Sequence, residues 1–234
     1  GDFYEAFNED AETISRVLGI TLTGRGKGET RRPMAGIPYH ALPNYLPKLV
    51  EAGLKVAIAD QMEEPVPGRL VERKITKLIT PGTVVDENSL DSTKNNYIAS
   101  IYIGETQSGK MTNQVFSLVY CDLTTGELKA FSTDSARLLK IELNKINPSE
   151  IICSVSQYQR IKIIYEKNVE RLESEKFNLE ICTETLLNQF EVNNLKGFGI
   201  ETDQFIIQAG GALINYLRNC QKGEIKHIKK IRKY

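Results

Sequence analysis

The chain has 234 residues, of which 41% are hydrophobic and 26% are charged, and its 30 basic residues balance 30 acidic ones. This length accommodates two domains of ordinary size, and the composition is that of a soluble globular protein. The zero net charge argues against a uniformly basic surface. The sequence also lacks a signal peptide and any apolar run long enough to span a bilayer.

Residues 1–80 predict a small domain that mixes helices and strands. Apolar residues recur at helical spacing from Phe7 to Leu18, and Gly19 follows as a helix stop. Residues 20–23 alternate as in a short strand, and the glycine-rich stretch after them predicts a loop.

A second helix is predicted between His40 and Ala52, where Pro47 removes an interior hydrogen bond and is expected to kink the helix. Two strands, over 54–62 and 73–80, then complete the first domain.

Periodicity is lost over residues 81–96, which gather Asp, Asn, Ser, Thr and Gly, and we place the domain boundary there. The predicted division is a first domain over 1–86, a linker over 87–96, a second domain over 97–222 and the start of a following segment over 223–234.

The second domain is predicted to hold a mixed sheet flanked by helices, since three hairpin-linked strands precede alternating helices and strands. The predicted elements are strands over 97–103, 114–123 and 127–132, a helix over 135–146, a strand over 150–154, a helix over 157–171, a strand over 178–183 and a helix over 203–220. The fold class is therefore α/β, with two domains.

The four cysteines are far apart and show no C-x-x-C spacing, and the chain has only two histidines. Too few Cys and His residues occur at the spacing of zinc ligands, so we expect buried, reduced thiols and no bound metal. The cysteines are Cys121, Cys153, Cys182 and Cys220.

Two short motifs stand out in the first domain. The first five residues, GDFYE, set the ring of Phe3 two residues from the carboxyl of Glu5, and a second motif, MAGIPYH, covers 34–40. A flat apolar ring beside a hydrogen-bonding group suits insertion into a base stack. A Phe ahead of a helix is also commonly core packing, and a Glu there can serve the helix dipole. Gly36 and Pro38 predict that the second motif forms a loop.

Together the two motifs resemble the mismatch-recognition domain of the MutS family of bacterial DNA-repair proteins. The resemblance continues to about residue 230, through a second domain similar to the family's connector. It implies a small mixed α/β mismatch-binding domain followed by a ribonuclease-H-like connector. It also implies that the chain is the N-terminal part of a longer protein, and that the first domain here lacks its N-terminal strand.

The resemblance assigns roles to residues of the first domain. It makes Phe3 the wedge that stacks on a mispaired base from the minor groove, and it makes Glu5 the hydrogen-bond partner of that base. The segment expected beside the minor groove comprises Met34, Ala35, Gly36, Ile37 and Pro38. The stretch over 24–32 carries four cations against one carboxylate, so its basic residues are candidate phosphate contacts or simply a solvated loop. They are Arg25, Lys27, Arg31 and Arg32.

The family also implies partners and cofactors. The expected ligand is double-stranded DNA with mismatches or small unpaired loops, and the connector is expected to couple the DNA state to an ATPase and to MutL. ATP and magnesium are expected in a C-terminal domain outside this chain, within a cytoplasmic, nucleoid-associated homodimer that is a weak DNA-dependent ATPase. The alternative is a protein-interaction module without DNA specificity.

An enzymatic role for the chain itself is not expected. A ribonuclease-H-type nuclease needs a carboxylate cluster that holds two metal ions, with one acid on the first strand. Residues 97–103 carry no acid, and Asp122, Glu142 and Glu150 show no evident clustering. The chain also lacks the G-x-x-x-x-G-K-[ST] phosphate loop.

Overall fold

The computed structural model describes residues 2–63, 71–84, 95–109 and 111–234, so most of the predicted linker over 87–96 lies outside the described residues. The first domain consists of β1 (Phe3–Phe7), α1 (Asn8–Leu18), β2 (Thr23–Arg25), β3 (Arg32–Pro38), α2 (Leu42–Glu51), β4 (Val56–Gln61) and β5 (Arg73–Ile79). Both predicted helices and both late strands are thus confirmed, with α2 continuing through Pro47.

The first domain contains a three-stranded antiparallel sheet in the order β1-β3-β2 and a separate hairpin of β4 and β5. One face of the three-stranded sheet is covered by α1, and Ala35 and Ile37 of β3 are buried there together with Ala11. Burial of this apolar surface holds the helix on the sheet. The other face of the sheet carries mostly exposed residues, and we call it the outer face.

Three predictions for the first domain are wrong. The predicted strand over 20–23 begins only at Thr23, and the predicted loop over 24–32 has strands at both ends. The predicted loop over 34–40 is largely strand β3, because its backbone groups pair with β1 on one side and with β2 on the other. A middle strand of this kind satisfies its backbone hydrogen bonds on both edges.

The second domain is built on a six-stranded mixed sheet in the order β10-β9-β6-β7-β8-β11, as predicted for its class. Helices cover both faces of this sheet: α5 and α6 enclose one core, and α3 and α4 enclose the other. Its elements are β6 (Tyr97–Ser108), β7 (Met111–Asp122), β8 (Glu127–Thr133), α3 (Ala136–Ile146), β9 (Glu150–Ser154), α4 (Tyr158–Ile164), β10 (Val169–Leu172), α5 (Leu179–Phe190), α6 (Gln204–Gln221) and β11 (Arg232–Lys233).

Two element types in the second domain differ from the prediction. The helix predicted over 157–171 ends at Ile164, and the residues near its predicted end form β10, which pairs in parallel with β9. The strand predicted over 178–183 instead begins α5. The side chain of Asn178 caps that helix by accepting a hydrogen bond from the backbone N–H of Ile181.

The last residues of the chain belong to the second domain, in contrast to the predicted division at residue 223. Ile225, Ile228 and Ile231 are buried in the core beneath α5 and α6. Arg232–Lys233 then forms β11, which pairs with β8. Three buried isoleucines and a strand pairing attach this segment firmly to the sheet.

All four cysteines are free and buried, as predicted. Burial raises the pKa of the thiols of Cys121, Cys153 and Cys182 to about 12, and that of Cys220 to about 11. Over the described ranges, no group of three or more His, Cys, Asp or Glu side chains could hold a metal ion. The helices described for this chain include none that is long and apolar enough to cross a membrane.

Candidate nucleic-acid interface

Alternation along β1 divides its side chains between the two faces of the sheet. Phe3, Glu5 and Phe7 are exposed on the outer face, while Tyr4 points to the opposite side. Tyr4 donates a hydrogen bond of 2.7 Å to Oδ1 of Asp60 and stacks on Tyr39. Burial, and then this hydrogen bond, raise the pKa of the Tyr4 phenol. Tyr4 therefore anchors the strand and leaves the Phe3 face open.

Phe3 presents a bare aromatic ring to solvent, since 56% of the residue is exposed. The ring lies against Gly36 of β3, where an added Cβ would stand 3.2 Å from Cδ1 of Phe3. With any other residue at this position the ring would have to move away by a few tenths of an ångström. The start of β1 is fixed by a hydrogen bond of 2.9 Å from the backbone N–H of Tyr39 to the carbonyl of Asp2. The core-packing interpretation of Phe3 is therefore wrong.

Glu5 lies beside Phe3 on the outer face, and its Oε2 accepts a hydrogen bond of 2.5 Å from Nη1 of Arg25. The Glu5 side chain is 33% exposed and that of Arg25 is 64% exposed. Because Glu5 is in the middle of a strand, it does not serve the dipole of α1. The acidic residues in the first turn of that helix are Glu9 and Asp10.

The MAGIP segment divides between the two faces because it is a strand. Gly36 and Pro38 pair with Glu5 and Phe3 on β1, so they share the outer face with them. Ala35 and Ile37 are 0% and 4% exposed on the inner face. Their side chains belong to the core of the domain, so within the segment expected beside the minor groove these two residues have only backbone to offer a bound duplex.

Met34 completes the outer side of β3, opposite Phe7. Phe7 was predicted in the apolar stripe of α1, but it is the last residue of β1 and 37% exposed on the outer face. Its alternation with Phe3 and Glu5 was the sequence signal for this placement, and it makes Phe7 a second exposed ring on the same surface.

All four predicted cations are exposed, but they do not share one face: Arg31 lies against Gly24 of β2, on the side of the sheet opposite to Arg25. Arg25 on β2 and Arg32 on β3 are paired directly across the sheet, while Lys27 and Arg31 lie in the connection between these strands. That connection turns at Gly26, whose φ of 99° favours glycine. The structure thus brings Phe3, Glu5, Arg25 and Arg32 onto one surface.

The carboxylates weighed for a nuclease serve separate structural contacts. Glu150 is buried and accepts a hydrogen bond of 2.8 Å from the hydroxyl of Tyr216. Asp122 accepts one of 2.9 Å from the backbone N–H of Thr124, in the turn that joins β7 to β8. Glu142 on α3 accepts a hydrogen bond from a tyrosine hydroxyl. Each carboxylate is held by its own partner.

Comparison with known proteins identifies the family. The family described as MutS domain I matches residues 1–88, and that described as MutS domain II matches residues 96–229. DNA mismatch repair protein MutS of Dehalococcoides mccartyi is 40% identical over 236 residues, covering 100% of this chain and 26% of the relative. The proteins of the same name from Flavobacterium psychrophilum and Salinibacter ruber are 40% and 37% identical, covering 99% and 100% of this chain and 26% of each relative.

The chain therefore spans about a quarter of the length of these relatives. Both domains of the structure are matched, in the same order, by the two consecutive MutS domains. The chain belongs to the MutS family.

Proposed function

We propose that this chain recognises mispaired or unpaired bases in duplex DNA, as the first step of DNA mismatch repair. Phe3 is the wedge that enters the base stack from the minor groove, and Glu5 forms a hydrogen bond with the displaced base. The observation that carries the proposal is the exposed ring of Phe3, which is 56% exposed although it is a large apolar group beside a carboxylate and a basic connection. An exposed aromatic ring beside basic residues is the combination on which proteins stack nucleic-acid bases.

The energetics of insertion favour a defective base pair. Unstacking a base step costs a few kcal/mol, and it costs least where pairing is already lost. Stacking on an aromatic ring returns about 1–3 kcal/mol whatever the base. Discrimination then arises from the ease of opening the mismatched step rather than from a sequence code. A ring already held against Gly36 loses little freedom on binding.

Glu5 and the basic residues have different tasks in this proposal. A carboxylate can accept a hydrogen bond from a donor on the edge of the displaced base, although the phosphates of the DNA repel its negative charge. The exposed side chains of Lys27, Arg31 and Arg32 are suited to phosphates, whose contacts give affinity that depends on salt but not on sequence.

The wider role belongs to a longer protein. In that protein the second domain couples the DNA state to an ATPase that uses ATP and magnesium, and it contacts MutL. The protein acts as a homodimer in the cytoplasm, at the nucleoid. The support for these statements is membership of the family, whose relatives are named as DNA mismatch repair proteins.

The test is a titration of mismatched against perfectly paired DNA with the full-length protein that carries this chain, followed by fluorescence anisotropy. Phe3→Ala should abolish the preference for mismatched DNA and leave salt-dependent binding to perfect duplex nearly intact. Phe7→Ala is the matched control, because Phe7 is exposed on the same strand and face. It lies about 13 Å further along the strand.

An unchanged preference in the Phe3→Ala variant would show that Phe3 is not the wedge. Absence of any mismatch preference in the unaltered protein would favour the alternative, a protein-interaction module without DNA specificity.

A further inference from the structure

An ion pair between Glu5 and Arg25 ties the carboxylate proposed to read the mismatch to the basic residues around it. The two side chains come from β1 and β2, the outer strands of the sheet, and their bond of 2.5 Å spans the middle strand. The partner of Glu5 on the middle strand is Gly36, which has no side chain.

The pair contributes little to stability. Both side chains are substantially exposed, at 33% for Glu5 and 64% for Arg25. Ion pairs in such positions contribute about 0–1 kcal/mol, because water and salt screen them. The consequences of the contact for the outer face are therefore local: they concern the geometry and charge of Glu5.

The contact fixes the orientation and the electrostatics of Glu5. Arg25 holds Oε2, and among the described residues Oε1 has no hydrogen-bond partner. One oxygen is thus engaged by Arg25, and the other is left without a partner on the face that also carries Phe3. The guanidinium also offsets the charge that would repel the DNA backbone from this site.

We propose that Arg25 is a positioning residue for Glu5 rather than a phosphate contact: it holds Oε2 so that Oε1 is presented to the base displaced by Phe3. The inference rests on the proposed function. It separates Arg25 from the other three cations, to which the sequence assigned the same role as candidate phosphate contacts.

Arg32 provides a matched control. It is the same residue type, paired with Arg25 across the sheet and equally on the outer face. Within the described part of the chain it has no carboxylate partner. Loss of a phosphate contact lowers affinity alike on every DNA and reduces the slope of log K against log salt by about 0.9.

The experiment measures dissociation constants for mismatched and perfect duplex with the full-length protein. Arg25→Met should lower the preference for the mismatch by about fivefold, the loss expected when one base contact is impaired. Arg25→Lys keeps the charge and should retain at least half of the preference. Arg32→Met should weaken binding to both DNAs equally.

A double-mutant cycle with Glu5→Gln distinguishes a positioning role of Arg25 from a direct phosphate contact. Because a neutral glutamine removes the ion pair, Arg25→Met should change the preference by less than twofold in that background. Equal effects of Arg25→Met on both DNAs and in both backgrounds would overturn the inference and make Arg25 a phosphate contact. The proposed function would stand in that case, because the unaltered protein would still prefer the mismatch; its failure would show as no preference in the unaltered protein. Thermal unfolding of each variant checks that the fold is intact.

Discussion

Thr80, which follows β5 in the first domain, donates a hydrogen bond of 2.5 Å to Oε2 of Glu150 at the start of β9 in the second domain. The same oxygen accepts a bond of 3.0 Å from the backbone N–H of Gly82, and Oε1 accepts one of 2.8 Å from Tyr216. Glu150 is only 1% exposed. A buried carboxylate with three donors is well compensated, so this residue fastens the two domains to each other.

Replacing Glu150 by alanine should therefore destabilise the protein. The change removes the carboxylate that accepts from the Thr80 hydroxyl, the buried N–H of Gly82 and the half-buried hydroxyl of Tyr216, and we expect the free energy of unfolding to fall by about 2–4 kcal/mol. Urea denaturation measures the change.

The control for this prediction is Glu170→Ala, which breaks the exposed ion pair with Lys55 that also joins the two domains. A pair at the surface should contribute about 0–1 kcal/mol. If Glu150→Ala and Glu170→Ala lowered the free energy of unfolding equally, Glu150 would not be the residue that fastens the two domains.

Asp60 should make the stability of the first domain depend on pH. It accepts hydrogen bonds from Thr76 and Tyr4, which lower the pKa of its carboxyl. A lowered folded-state pKa gives stability that is fully present above the ordinary value of about 3.9 and is lost as the pH falls through the folded-state pKa.

We thus expect Asp60→Asn to reduce the free energy of unfolding at pH 7, and we expect the difference from the unaltered protein to shrink below about pH 4. Urea titrations at several pH values measure this difference. Asp134→Asn, at an exposed position between β8 and α3, is the control and should show little change. A difference for Asp60→Asn that stays constant down to pH 3 would contradict the assignment.

Elements with strong local signals were predictable from the sequence. The strand Glu150–Ser154 was predicted with its observed bounds, because a short apolar run ends in turn residues. Helix α6 was predicted to within one residue, since Asp203 caps it by accepting from the backbone N–H of Ile206. Here local propensity and tertiary structure agree.

The wrong predictions concern segments whose structure depends on distant partners. The segment 34–38 holds Gly and Pro and was predicted as a loop, yet it is a strand because β1 and β2 pair with it. Residues 169–172 continue a helical pattern and become a strand only beside β9. The ion pair of Glu5 and Arg25 needs both outer strands in place, so no local pattern predicts it.

Gly36→Ala should impair mismatch preference with little loss of stability. The new Cβ would stand 3.2 Å from the ring of Phe3, which must shift because the strand backbone is fixed. We expect the ratio of affinities for mismatched and perfect duplex to fall severalfold and the melting temperature to change little. Gly197→Ala is the control, because a Cβ there meets nothing within 4 Å. An unchanged ratio would mean that the position of the ring is not critical.

Glu5→Ala should reduce discrimination more than it reduces affinity. Losing one hydrogen bond to the base costs about 1–3 kcal/mol of preference for the mismatch. Removing a negative charge also lowers the repulsion from phosphates and releases Arg25, so binding to perfect duplex should be unchanged or tighter. The total effect on mismatch binding should be milder than that of Phe3→Ala, which removes the stacking surface itself.

Dissociation constants at several salt concentrations separate these effects, since phosphate contacts alone change the salt slope. Glu9→Ala removes the same charge from the exposed first turn of α1 and serves as the control, for which the preference should stay unchanged. A uniform loss of affinity on every DNA in the Glu5→Ala variant would instead assign Glu5 a structural role. In that event the ion pair with Arg25 would act to hold β1 and β2 together, and Phe3 alone would discriminate between paired and mispaired bases.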